Sequence, residues 1–215
     1  MTTMLSPETT DFIRDLAANN DREWFNANRQ RYEECFKRPA EQFAEAMANE
    51  IQVAIGLTCS SRIFRIYRDV RFSRDKTPYN AHLHIGFPVE GSDGDAPCLM
   101  FAIEPERAVL GTGVLGFSKE GLDRYRERVA GKDGDKLQVL LDAACAAGAR
   151  MGEPELKRVP APYPADHLHS ELLRRKSLAV WRDYADQTFA YGPDGPKNCT
   201  KELMQLREVF DFLRS

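Results

Sequence analysis

Four segments with strand character, 62–72, 81–88, 98–104 and 107–114, succeed one another at short intervals. They are separated by Thr77-Pro78, a Gly/Asp-rich loop over 90–97 and a tight turn at Glu104-Pro105-Glu106. A parallel pair needs a crossover of about a dozen residues or more, so successive strands joined this closely pair antiparallel, as a meander. Ser177 to Trp181 reads as one more strand, which brings the sheet to about four or five.

Helical signals flank the meander. Ser6-Pro7-Glu8 is a helix start, with Ser6 placed to accept backbone N–H groups and Pro7 preset for the first helical position. Phe12, Ile13 and Leu16 supply its apolar face. Asp21 caps a second helix carrying Trp24, Phe25, Asn28, Tyr32 and Phe36. Pro39 opens a third, with Ala40, Phe43, Met47, Ile51 and Ala54 on one stripe and a stop near Gly56. Beyond the meander, helices are expected over 118–130, over 135–147, behind Asp166 with Leu172 and Leu173, and at the end with Leu203, Leu206, Phe210 and Leu213 in register; 152–166 and 185–198 read as loops. The expected architecture is α+β, one domain over 1–215 with a helical segment (1–61), antiparallel strands (62–116) and a mainly helical remainder (117–215).

At 42% hydrophobic and 29% charged, 215 residues can bury a core. The net charge of −3 argues against a wholesale nucleic-acid or membrane-surface binder. No apolar run reaches the roughly 20 residues of a membrane span, and Met1 to Thr10 lacks the basic-then-apolar pattern of a leader. The five cysteines, Cys35, Cys59, Cys98, Cys145 and Cys199, form no C-x-x-C pair and are odd in number, which fits the reduced thiols of a cytoplasm.

Charge is divided unevenly. Residues 1–61 hold six basic and ten acidic side chains, a local −4, whereas 62–76 hold six basic and two acidic, a local +4. On a continuous strand Phe64, Ile66, Val70 and Phe72 would point to the core, and Arg65, Tyr67, Asp69 and Arg71 to the opposite face. Arg68 then falls on the apolar side, which demands a partner or a bulge. Arginine suits fixed bidentate contacts to carboxylate or phosphate.

Arg65, Arg68, Asp69, Arg71, Phe72, Asp75, Lys76 and Tyr79 follow the pattern R-x-x-R-D-x-R-F-x-x-[DN]-K-x-x-Y. This run resembles the signature of a bacterial family of conserved proteins of unknown function. The Asn20-to-Phe25 stretch with Tyr32 and Pro39, and the stretch Leu172 to Ser177, are similar to that family's two ends, so the resemblance covers nearly the whole chain. It implies no activity, because none is assigned to the family.

Three readings of the basic run follow. In the first, Arg65, Tyr67, Arg68, Arg71, Lys76 and Tyr79 bind a small anionic ligand, phosphorylated compounds included. An enzyme of this kind would use Asp69 or His82 as base. Nucleic-acid phosphates would engage the same groups, although the overall negative charge counts against long duplex contacts. In the second reading, His82 and His84 share a strand face and join a carboxylate such as Glu104 at a metal that hydrolyses or binds oxygen. In the third, the arginines form a structural ion-pair network in an interaction module, and Arg68→Ala or Arg71→Ala then costs the stability of a broken buried pair.

Other motifs carry less. Gly111-Thr112-Gly113-Val114-Leu115-Gly116 matches G-x-G-x-x-G, but an antiparallel meander precedes it and no acidic residue ends a strand about 20 residues later; a glycine-rich turn into the helix at Ser118 is expected, one that could also wall an anion pocket. His167 and His169 are expected at the surface, and Arg174-Arg175-Lys176 at a solvated helix end. No G-x-S-x-G elbow or catalytic cysteine context exists.

Overall fold

Helices begin where their capping residues stand. In a computed structural model, which describes residues 4–90 and 94–215, Ser6 precedes α1 (Pro7–Ala18) and donates its N–H to Thr9 Oγ1 at 3.3 Å. Asp21 precedes α2 (Arg22–Ala27) and accepts Trp24 N–H at 2.8 Å. The helix expected to run on through Phe36 is broken instead. A single turn α3 (Arg29–Arg31) passes into a π-helical stretch (Tyr32–Lys37) before α4 (Arg38–Ile55). Tyr32 and Phe36 both pack on Phe12, with ring centroids 5.9 and 5.7 Å away. Gly56, at φ 73, ends α4 in the left-handed conformation that a residue without Cβ adopts freely.

The strands are β1 (Arg62–Ile63), β2 (Leu83–Phe87), β3 (Cys98–Ile103), β4 (Ala108–Val114), β5 (Arg150–Met151) and β6 (Leu178–Tyr184). They form an antiparallel sheet of six strands in the order β1-β2-β3-β4-β6-β5. Arg62 lies opposite Gly86 at one edge, and Arg150 opposite Trp181 at the other. The expected four or five strands become six because β5 has only two residues, too few to show alternation. The expected readings of Met1 to Thr10 and of loop 90–97 lie partly outside the described residues.

The remaining helices are α5 (Lys119–Ala130), α6 (Lys132–Ala146), α7 (Ser170–Leu173), α8 (Gly195–Leu203) and α9 (Arg207–Arg214). α7 starts after His169 rather than Asp166, and α8 occupies part of the expected 185–198 loop. Among the described residues no helix is long and apolar enough to cross a membrane.

The chain gathers into two compact units. The first comprises Met1–Glu90, Met100–Leu110 and Asp183–Glu202. Its core is built on Phe12, Ile13, Leu16, Phe43, Met47 and Ile51, with Phe43 packed 4.7 Å from Phe101. Each such side chain removed from water contributes about 1.5–3 kcal/mol. The second comprises Gly91–Leu99, Gly111–Arg182 and Leu203–Ser215 and buries Leu137, Leu141, Leu173, Leu178, Val180 and Val209.

The glycine motif belongs to the second unit and is mostly strand, with only Leu115 and Gly116 forming a bend ahead of Ser118. Gly111 to Val114 lie within β4, fully buried. A Cβ on Gly111 would stand 2.3 Å from the Trp181 ring, and one on Gly113, whose φ is 145, would stand 2.1 Å from the Leu178 carbonyl. The glycines let β6 approach β4 closely, which leaves no opening for a pyrophosphate.

Candidate functional site

β1 stops at Ile63, and the chain leaves the sheet. The Phe64 N–H still reaches the His84 carbonyl at 2.9 Å, after which 64–82 pairs on itself. Tyr67 bridges Tyr79, Arg68 N–H donates to the Pro78 carbonyl at 2.9 Å, and Asn80 N–H to the Ile66 carbonyl at 2.7 Å. The expected strand to residue 72 is therefore an arm, and its expected parity fails. Ile66 is buried and Val70 half-buried, but Phe64 is 48% and Phe72 96% exposed. Alternation predicts faces only while a strand stays paired, and here pairing ends two residues into β1.

The base of the arm is anchored on the N-terminal helices. Asn20, following α1, donates Nδ2–H to the Tyr79 carbonyl at 2.9 Å and accepts Tyr79 N–H on Oδ1 at 3.1 Å. The Tyr79 ring stacks on Phe25 with centroids 4.1 Å apart, and Tyr67 packs edge-on to Phe25 at 6.0 Å. Burial raises the Tyr79 phenol above its usual pKa, and burial pushes Tyr32 up to about 12. Asn80 Nδ2–H donates to the Arg65 carbonyl at 3.0 Å.

Within the arm the carboxylates are used by two of the arginines. Arg68, 24% exposed, donates Nη1–H to Asp75 Oδ2 at 2.6 Å and also to Thr77. Asp75 in turn accepts Thr77 N–H at 3.0 Å and its hydroxyl at 2.8 Å. These bonds, the backbone one foremost, bring its pKa down to about 2. Arg71, 77% exposed, grips Asp69 in a fork, Nε at 3.0 Å and Nη2 at 2.7 Å. The fork holds the Asp69 carboxyl below its usual range, which ill suits it to serve as a base. Both pairs are solvated at one partner or both, so neither is the buried pair of the structural reading.

Two acids thus occupy two of the six cations. Lys76 donates to the Val70 carbonyl at 3.0 Å. Arg62 lies over the Phe64 ring at 5.4 Å. Among the described residues the Arg62, Arg65 and Arg74 guanidinium groups have neither a hydrogen bond nor an ion pair, and the Tyr67 hydroxyl has no hydrogen bond. An open cleft of about 300 Å³ is lined by Phe64, Arg65, Tyr67, Arg68, Asp69 and Asn80. That volume is at the lower end of the range for small-ligand sites. Four residues expected at a site, Arg65, Tyr67, Arg68 and Asp69, meet here, while Arg71, Lys76, Tyr79 and His82 are outside the lining. Phe64 and Asn80 are not legible as site residues: strand parity places the first in the core, and nothing in the sequence singles out the second.

The histidines adopt another arrangement. His82 and His84 stack at 3.7 Å, 19° from parallel. Burial lowers both pKa values, that of His84 to about 4. Glu104, the carboxylate expected to complete a metal site, accepts Arg107 Nε–H at 2.7 Å. Among the described residues no three His, Cys, Asp or Glu side chains are grouped to hold a metal.

Two surface expectations in the second unit are corrected. His169 is buried, with Nε2 3.1 Å from Asp135 Oδ1. Arg175 is buried as well and donates to the Gly152 carbonyl at 2.7 Å, so it does not extend a solvated helix end. In the first unit a larger cleft of about 450 Å³ is lined by Asp186 and Glu202 as well as Lys201 and lacks a positive excess.

A family described as a conserved hypothetical protein (DUF2461) matches residues 8–212. No curated protein matches the chain.

Proposed function

The chain belongs to the conserved hypothetical family DUF2461, and for it we propose binding of a small anion, phosphorylated compounds foremost, in the cleft beside Arg65. One observation carries this reading. Arg68 and Arg71 are engaged by Asp75 and Asp69, whereas the Arg65 guanidinium lines the cleft without a hydrogen bond or ion pair of its own and feels Asp69 only at longer range. An arginine fork matches a phosphate or carboxylate bidentately, and the Tyr67 hydroxyl beside it can donate a further hydrogen bond. Asn80 adds a polar wall held in place by its bond to the Arg65 carbonyl. The five free cysteines support a reducing compartment, the cytoplasm, as the setting.

Thermal unfolding in rising concentrations of inorganic phosphate and pyrophosphate tests the proposal. A bound anion raises Tm with the logarithm of its concentration. The rise should vanish in Arg65→Ala, an exposed position whose loss leaves the fold intact, and persist in part in Arg65→Lys. An equal rise in the parent and in Arg65→Ala, or no rise in either, overturns the reading.

A further inference from the structure

The arm presents more than charge. Phe64, Tyr67 and Phe72 are exposed on it, and along the chain they interleave with arginines in the order Arg62, Phe64, Arg65, Tyr67, Arg68, Arg71, Phe72, Arg74. We propose that the anion taken here is the phosphodiester backbone of a single-stranded nucleic acid, its bases stacking on Phe64, Tyr67 and Phe72. This deepens the anion-site reading above and rests on it.

The alternation fits the polymer's own repeat of phosphate and base. Arg65 lines the cleft together with Phe64 and Tyr67, and Arg62 and Arg74, without ion pairs among the described residues, flank it along the chain. Tyr67 is a firm platform, because its ring rests on Phe25 and, 5.4 Å away, on Tyr79. Stacking accepts any base, since each has a π face, and those faces are covered in a duplex. The whole-protein charge of −3 does not oppose a short strand, because 62–76 carry +4 locally. An anionic lipid surface is the competing partner. It would favour Phe72 with the neighbouring Arg71, Arg74 and Lys76, but would leave the cleft lined by Phe64, Arg65 and Tyr67 without a use.

The test is fluorescence anisotropy of the full chain with a labelled oligothymidylate of about twelve nucleotides, beside the same strand annealed to its complement and vesicles of phosphatidylserine and phosphatidylcholine. Inorganic phosphate is titrated in parallel by thermal unfolding. The single strand should bind more tightly than the duplex. Phe72→Ala, at a side chain with almost no contacts to lose, should weaken it roughly fivefold or more, and binding should fall with salt at a logarithmic slope of about −2 to −3 for three or four phosphates. Arg74→Ala should reduce that slope by about 0.7. If phosphate stabilises the parent through Arg65 but the oligonucleotide does not bind, or binds without regard to Phe72, the inference fails and the anion site stands. Preference for the vesicles or the duplex also overturns the inference. If phosphate has no Arg65-dependent effect, the anion site itself fails.

Discussion

Asn20 and Tyr79, far apart in the chain, exchange two hydrogen bonds, Asn20 Nδ2 to the Tyr79 carbonyl at 2.9 Å and Tyr79 N to Asn20 Oδ1 at 3.1 Å. One amide side chain thereby stands in for a strand partner and closes the base of the arm against the N-terminal helices. Asn20→Ala leaves a half-buried donor and acceptor unsatisfied and should destabilise the protein by about 1–3 kcal/mol. Urea unfolding measures it as a lower midpoint at unchanged slope. Asn20→Asp retains the acceptor but loses the donor, and should fall between Asn20→Ala and the parent.

Arg68 and Arg71 look alike in sequence and differ in the fold. Arg68 ties Asp75 and Thr77 together across the arm from a mostly covered position, while Arg71 holds its near neighbour Asp69 in solvent. Arg68→Ala should therefore lower Tm by a few degrees and raise amide exchange across 68–77, and Arg71→Ala should leave Tm close to that of the parent. Equal, large losses for both variants would restore the buried ion-pair network.

The glycine motif offers a clean contrast. A Cβ at Gly113 meets the Leu178 carbonyl at a φ of 145, whereas one at Gly116 meets nothing within 4 Å. Gly113→Ala should cost more than about 2 kcal/mol through clash and backbone strain together, and Gly116→Ala should be near neutral. Chemical denaturation of the two variants side by side decides the matter. A phosphate-cradling loop would show the opposite emphasis, with stability intact and binding lost.

Most helix starts and stops were legible because they depend on local chemistry: Asp21 caps α2, Gly56 ends α4, and Ser118 accepts Gly121 N–H at 3.0 Å ahead of α5. The central strands β2, β3 and β4 were legible for the same reason, since tight turns fix antiparallel order. The arm was not. Whether Phe64 and Phe72 enter the core depends on where β1 stops pairing, a tertiary outcome that alternation does not encode. The candidate site was half legible. The arginine-rich run stood out, but which arginine is left unpaired depends on how Asp69 and Asp75 fold back on it. The G-x-G-x-x-G run is ambiguous in sequence because glycine serves close strand packing and phosphate approach equally well.

The stacked His82 and His84 rings make stability sensitive to pH. Burial lowers the folded-state pKa of His84 to about 4, from an ordinary value of 6.5, and lowers that of His82 as well. The unfolded chain then binds more protons than the folded one between those limits, so stability rises with pH through that window and falls as acid is added. Well above pH 6.5 both states hold neutral imidazoles, and the effect fades. Urea midpoints at pH 7.5, 5.5 and 4.5 should decline in the parent. The His84→Gln variant cannot take up a proton there and should lose less between the first and last pH, by on the order of 2 kcal/mol. Carboxylates titrating in the same range act on parent and variant alike and cancel in the difference. If both decline equally, the histidine pair is hydrated and titrates normally.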